Sequence, residues 1–70
     1  MDYLVVFEKA SDGSIWAKVP DLPGCYSYGE TLDEAKVQIK EAIEFHIEGL
    51  KEEGLSIPDP HTFKAELIHV

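Results

Sequence analysis

Seventy residues allow one domain with a small core, and the single cysteine excludes an intrachain disulfide. Fourteen Asp and Glu oppose six Lys, with no Arg anywhere, for a formal net charge of −8. That balance speaks against direct binding of nucleic acid, because phosphate contacts and guanine readout lean on Arg and Lys.

An acidic surface suits a basic protein partner, which opposite charge would steer in, or simply keeps the chain soluble. No apolar run approaches the roughly 20 residues that span a bilayer, so no membrane association is expected. Met1-Asp2-Tyr3 leads into a strand pattern without the basic stretch of a secretory signal. A lone Cys fits a reducing compartment, and the expected location is cytoplasmic. A chain this short commonly needs a disulfide, a metal or a partner subunit to stay folded. With one Cys and no clustered metal ligands, a homo-oligomer is the expected supplement.

Residues 3–9, Tyr3-Leu4-Val5-Val6-Phe7-Glu8-Lys9, are β-branched and aromatic and predict a strand. Tyr3, Val5 and Phe7 share one face, and Leu4, Val6 and Glu8 the other. Both faces are mostly apolar, which predicts a central or doubly covered strand. Asp12-Gly13 predicts a hairpin turn, and the further acidic positions of a calcium loop are missing. Residues 15–19 form the second strand, antiparallel to the first, with Trp16 on the Lys18 face. Trp16 serves either packing or an interface, where Trp is enriched.

Pro20-Asp21-Leu22-Pro23-Gly24-Cys25 is a rigid corner: two prolines fix φ, and Gly24 is free to take positive φ. Residues 25–29 give a short third strand, with Tyr26 and Tyr28 on one face. Cys25 has no adjacent base and acidic surroundings, so it reads as a buried apolar filler rather than a nucleophile.

Thr31 and Glu34 form a capping box, in which Glu34 reaches back to the Thr31 N–H. The helix is predicted from Leu32 to Glu53, with Gly54 as its stop. Leu32, Ala35, Ile39, Ala42, Ile43, His46, Ile47 and Leu50 fall on one stripe that must cover a sheet. His46 is read as a core-edge residue bonded to backbone, since neither a HExxH nor an ExxH motif accompanies it. Glu34, Glu41, Glu44, Glu48 and Glu52 form an acidic stripe opposite, whose mutual repulsion a cationic partner would relieve. Val37 and Phe45 lie off the apolar stripe and are the candidate self-association residues.

Residues 55–60 are a proline-stiffened connection. Residues 62–70 alternate as a last strand, with Phe63, Ala65 and Leu67 inward. The predicted architecture is α+β with the order β-β-β-α-β: an antiparallel sheet with one long helix on one face, in a single domain spanning 1–70.

The stretch from Asp12 to Cys25, followed by Gly29-Glu30-Thr31-Leu32-Asp33-Glu34-Ala35 and Glu41-Ala42-Ile43, resembles the HicB-like antitoxin family. The likeness covers Tyr3 to about Leu50. It implies a degraded ribonuclease H-like fold and a binding module that masks a small basic mRNA-cleaving toxin, HicA-like, with a catalytic His. Many members carry a C-terminal DNA-binding segment, which this sequence, ending at Val70, is expected to lack.

On this reading Asp21, Tyr26, Glu41, Glu44 and Glu48 are the partner-binding candidates. Two-metal nuclease chemistry would need several carboxylates on one point, and Asp2, Glu8, Asp12 and Asp21 share no strand face. No catalytic residue, cofactor or metal is therefore assigned, and the chain is not expected to be an enzyme. The alternative is an orphan self-associating structural domain with no toxin partner.

Overall fold

Leu22 is the largest side chain that the protein buries completely, and the corner puts it there. The computed structural model describes residues 1–70. In it the Leu22 N–H donates to Val19 O (3.1 Å), Cys25 N–H to Leu22 O (3.0 Å) and Val19 N–H to Cys25 O (3.2 Å). Gly24 turns the chain at φ 83°, a conformation that costs a residue with a Cβ. Ala17, Val19, Leu22, Cys25 and Ile39 form the core, with Tyr3, Val5, Ala42 and Ile43 against it.

Three short strands flank this centre: β1 (Val6–Lys9), β2 (Ile15–Lys18) and β3 (Tyr26–Gly29), in the order β1-β2-β3 and antiparallel throughout. The first two are joined by the predicted Asp12-Gly13 turn, where Asp12 Oδ1 accepts from the Ser14 N–H (3.0 Å) and hydroxyl (2.7 Å). These bonds favour the ionised carboxylate and hold the Asp12 pKa below the ordinary range.

β2 is central and β1 is an edge strand, contrary to the expectation for residues 3–9. It is also shorter than predicted. The register Val6↔Lys18 would set Leu4 opposite Pro20, which has no N–H for the ladder.

The helix α1 (Leu32–Glu52) is built as its ends dictate. The Thr31 hydroxyl accepts from Glu34 N–H (3.2 Å), but the Glu34 carboxylate reaches one residue beyond the expected position, to Glu30 N–H (2.9 Å). At the far end Gly54, at φ 71°, donates to Lys51 O (3.1 Å), and Leu55 N–H donates to Leu50 O (2.9 Å). These are the two bonds of a Schellman cap.

The helix lies over β3 and β2 rather than β1. Ala35 and Ile39 are buried, whereas Ala42, Ile43, His46, Ile47 and Leu50 are only half-buried and Leu32 is exposed. His46 makes no side-chain hydrogen bond, so the expected backbone bond is absent.

Gly29 is where helix and sheet meet most closely. A Cβ there would lie 2.5 Å from Ala35 N and 2.7 Å from Glu34 Cβ.

The predicted last strand does not form. Residues 55–70 contain no regular element, and the side chains beyond Thr62 are exposed. Alternation alone makes no strand: a ladder partner is needed for the backbone N–H and C=O groups, and this tail lies against none. The α+β arrangement of three antiparallel strands followed by one long helix stands as expected.

Candidate partner-binding surface

With the helix on one face, the other face of the sheet is open. Antiparallel pairing aligns Trp16 with Tyr28 and Lys18 with Tyr26, so side chains from β2 and β3 meet there. The Trp16 ring centroid is 5.3 Å from that of Tyr28 and 5.9 Å from that of Tyr26, in tilted arrangements. All three aromatic residues remain exposed. Glu8 and Lys18 pair across β1 and β2 on the same face; exposed pairs of this kind contribute little stability.

Two shallow grooves flank the aromatic row. One runs between the aromatic residues and the start of the helix, rimmed by Glu30, Glu34 and Gln38. The other lies toward the corner, floored by Val6, Val19, Leu22 and Cys25. Burial raises the Cys25 thiol pKa, which keeps it protonated and a poor nucleophile. No three His, Cys, Asp or Glu side chains converge in a way that could hold a metal ion.

The candidate residues from sequence fall in separate places. Tyr26 stands in the aromatic row. Glu41, Glu44 and Glu48 are exposed on the helix, which covers the opposite face of the sheet. Val37 and Phe45 are exposed too, Phe45 at 80%.

Asp21 needs correction: it was expected at a contact surface, yet its side chain is 2% exposed. Oδ2 accepts from the backbone N–H of His61 (2.9 Å) and Thr62 (2.8 Å), and Oδ1 accepts from the Thr62 hydroxyl (2.6 Å). His61 Nε2 lies 3.1 Å from Oδ1. The Thr62 bonds foremost, then the His61 N–H, hold the carboxyl pKa below its usual range against the effect of burial. The Tyr3 hydroxyl donates to Pro58 O (2.5 Å) beside this clamp. Asp21 thus fastens the segment after the helix to the corner, a role that a partner 40 residues away in sequence concealed.

The sequence leaves Trp16 between packing and an interface and does not single out Tyr28, Glu30 or Gln38, which line the same groove. Alternation placed Trp16 on one face of its strand and the tyrosines on one face of theirs. Only the pairing register shows that the two faces coincide.

A sheet of three antiparallel strands with a single long helix on one face, a proline corner and an open aromatic face defines a small α+β domain. The chain belongs to the family described as HicB_like antitoxin of bacterial toxin-antitoxin system, whose model matches residues 3–68.

Among its relatives is an uncharacterized 14.9 kDa protein of Haemophilus phage HP1, 50% identical over 58 residues. That match covers 83% of this chain but 43% of the phage protein, so the chain spans less than half of that relative. A UPF0150 protein of Thermoplasma acidophilum is 47% identical over 58 residues, covering 83% of this chain and 84% of the relative. A UPF0150 protein of Synechocystis is 46% identical over 57 residues, covering 81% and 72%. No solved structure matches the chain.

Proposed function

We propose that the chain is the binding module of an antitoxin that masks a small basic mRNA-cleaving toxin, HicA-like. The observation that carries this reading is the family match over residues 3–68. The surface supports it in two ways. A net charge of −8 without arginine attracts a cationic partner and repels RNA. The exposed row Trp16, Tyr26 and Tyr28 offers the large, rigid side chains on which interface energy concentrates.

The partner-binding role proposed for Tyr26 extends to Trp16 and Tyr28. Glu41, Glu44 and Glu48 act at longer range, by steering the encounter. Inhibition is steric, with the toxin's RNA-binding surface covered, and the chain performs no chemistry and binds no DNA or RNA by itself.

The test is to mix the protein with a candidate toxin and follow RNA cleavage. Cleavage should stop near one antitoxin per toxin, and Trp16→Ala should restore it. Undiminished cleavage by the mixture overturns the reading. A second reading, self-association as an orphan structural domain through Val37 and Phe45, draws on the exposure of both side chains; it predicts an assembly that Phe45→Lys dissolves.

A further inference from the structure

We propose that residues 63–70 are a β-strand held out for a second copy of this chain, and that two copies exchange these strands onto each other's β1 edge. The first observation is the tail itself. Lys64 Nζ lies 2.6 Å from Glu66 Oε1. Residues two apart share a face only when the backbone is extended, so Phe63, Ala65 and Leu67 share the other face. That face is bare: Phe63 is 90% exposed and Leu67 is fully exposed. The tail is thus extended and, over residues 63–67, apolar on one face and charged on the other, with no strand beside it.

The second observation is where the tail leaves the body. Asp21 pins His61 and Thr62, and Pro60, Thr62 and Phe63 pass beside Asp2, Tyr3 and Leu4, immediately before β1. Beyond that point nothing holds it. The Cα radius of gyration is 13.1 Å, whereas a compact 70-residue domain has about 11 Å.

The third observation is the receptor. β1 is an edge strand, so its outward N–H and C=O groups have no ladder partner. The helix lies over β3 and β2, and Phe7 on the inner face of β1 stays 37% exposed. Gln38 rims the groove on the β3 side. At about 100° per residue Ile47 projects opposite to Gln38, toward β1, with Ile43 nearby; both are half-buried. A strand added beside β1 would set Phe63, Ala65 and Leu67 against this uncovered apolar flank.

A second copy is the occupant that fits. Residues 62–70 carry one Lys and one Glu, so the tail is neither repelled by the acidic body nor drawn to a cationic partner. One chain supplies both the strand and the edge, so a two-fold exchange closes on itself and leaves no growing end. This assembly is independent of toxin binding.

The test is sedimentation of the full chain, without toxin, combined with NMR of a mixed sample in which half the chains are isotope-labelled. A dimer should sediment, with interchain contacts between residues 63–69 of one copy and residues 6–9 of the other. In a strand, N–H groups of successive residues point to opposite sides. Hence either Lys64→Pro or Ala65→Pro must remove a ladder bond, and that variant should weaken the dimer about tenfold or more. Both variants should keep their helix signal, because the tail past Thr62 lies outside the folded body. A monomer at every concentration, tail contacts confined within one chain, a dimer joined through Phe45 and Val37, or tail ordering only on addition of a toxin would each overturn the proposal.

Discussion

Asp21 carries more of this molecule than any other polar residue. Its pKa is lowered in the folded chain by the Thr62 and His61 bonds, which fixes the sign of its pH dependence. Above about pH 4 the carboxylate is ionised in folded and unfolded chains alike, and the clamp contributes fully. Below that, the unfolded chain takes up a proton first, and the contribution falls away as pH drops through the lowered folded value.

The His61 and Thr62 amides should therefore be protected from hydrogen exchange at neutral pH and lose protection below about pH 4. Asp21→Asn should remove much of that protection at every pH, because the amide keeps one acceptor oxygen where the carboxylate has two. Leu22 offers the apolar counterpart. Leu22→Ala should cost about 3 kcal/mol, a large share of the roughly 3–10 kcal/mol that a 70-residue domain has. Denaturant unfolding will read this directly.

At the scale of elements, the seat of α1 on β3 is the sensitive joint. Gly29→Ala forces a Cβ into backbone atoms of the helix start, and overpacking of this kind costs about 1–3 kcal/mol. The melting temperature should fall by several degrees per kcal/mol. Thr31→Ala should cost about 1 kcal/mol through loss of the cap.

The helix was legible in the sequence because both its ends carry their own signals. Thr31 and Glu34 mark the start, Gly54 the stop, and the 3.6-residue stripe lies between. The hairpin was legible through Asp12-Gly13, and the corner through its prolines and Gly24. The last strand was misread for a physical reason: Thr62 to Val70 alternate well, but alternation describes which faces a strand would have and supplies no neighbour to pair with. β1 was misread as central because its two apolar faces signal burial without saying by what. The clamp at Asp21 was hidden because a lone acidic residue in a corner looks like any surface carboxylate until the chain brings Thr62 back to it.

For the whole molecule, the proposed antitoxin role would divide the labour of binding between the aromatic row and the acidic helix, which lie apart. Toxin association should be fast at low salt, and its rate should fall about tenfold or more as salt screens the charge, with little change in dissociation. Replacing Glu41, Glu44 and Glu48 together by Gln should slow association in the same manner, whereas Trp16→Ala should mainly speed dissociation, costing about 2 kcal/mol or more. Stopped-flow kinetics separates the two effects. No helix of the chain is long and apolar enough to cross a membrane, and the exposed apolar groups include the aromatic row, Val37 and Phe45 on the helix, and the tail, with Met1, Phe7, Leu32 and Leu55 exposed apart from these.

The close seat of Gly29 against Ala35 has a mechanical consequence. Backbone rests on backbone there, without a side chain between to flex. Tyr28 is bonded directly to Gly29, so the aromatic row cannot shift without dragging the helix start along. A partner docking on the aromatic row, as proposed, would therefore meet a surface of fixed shape, and its fit would have to exist before contact.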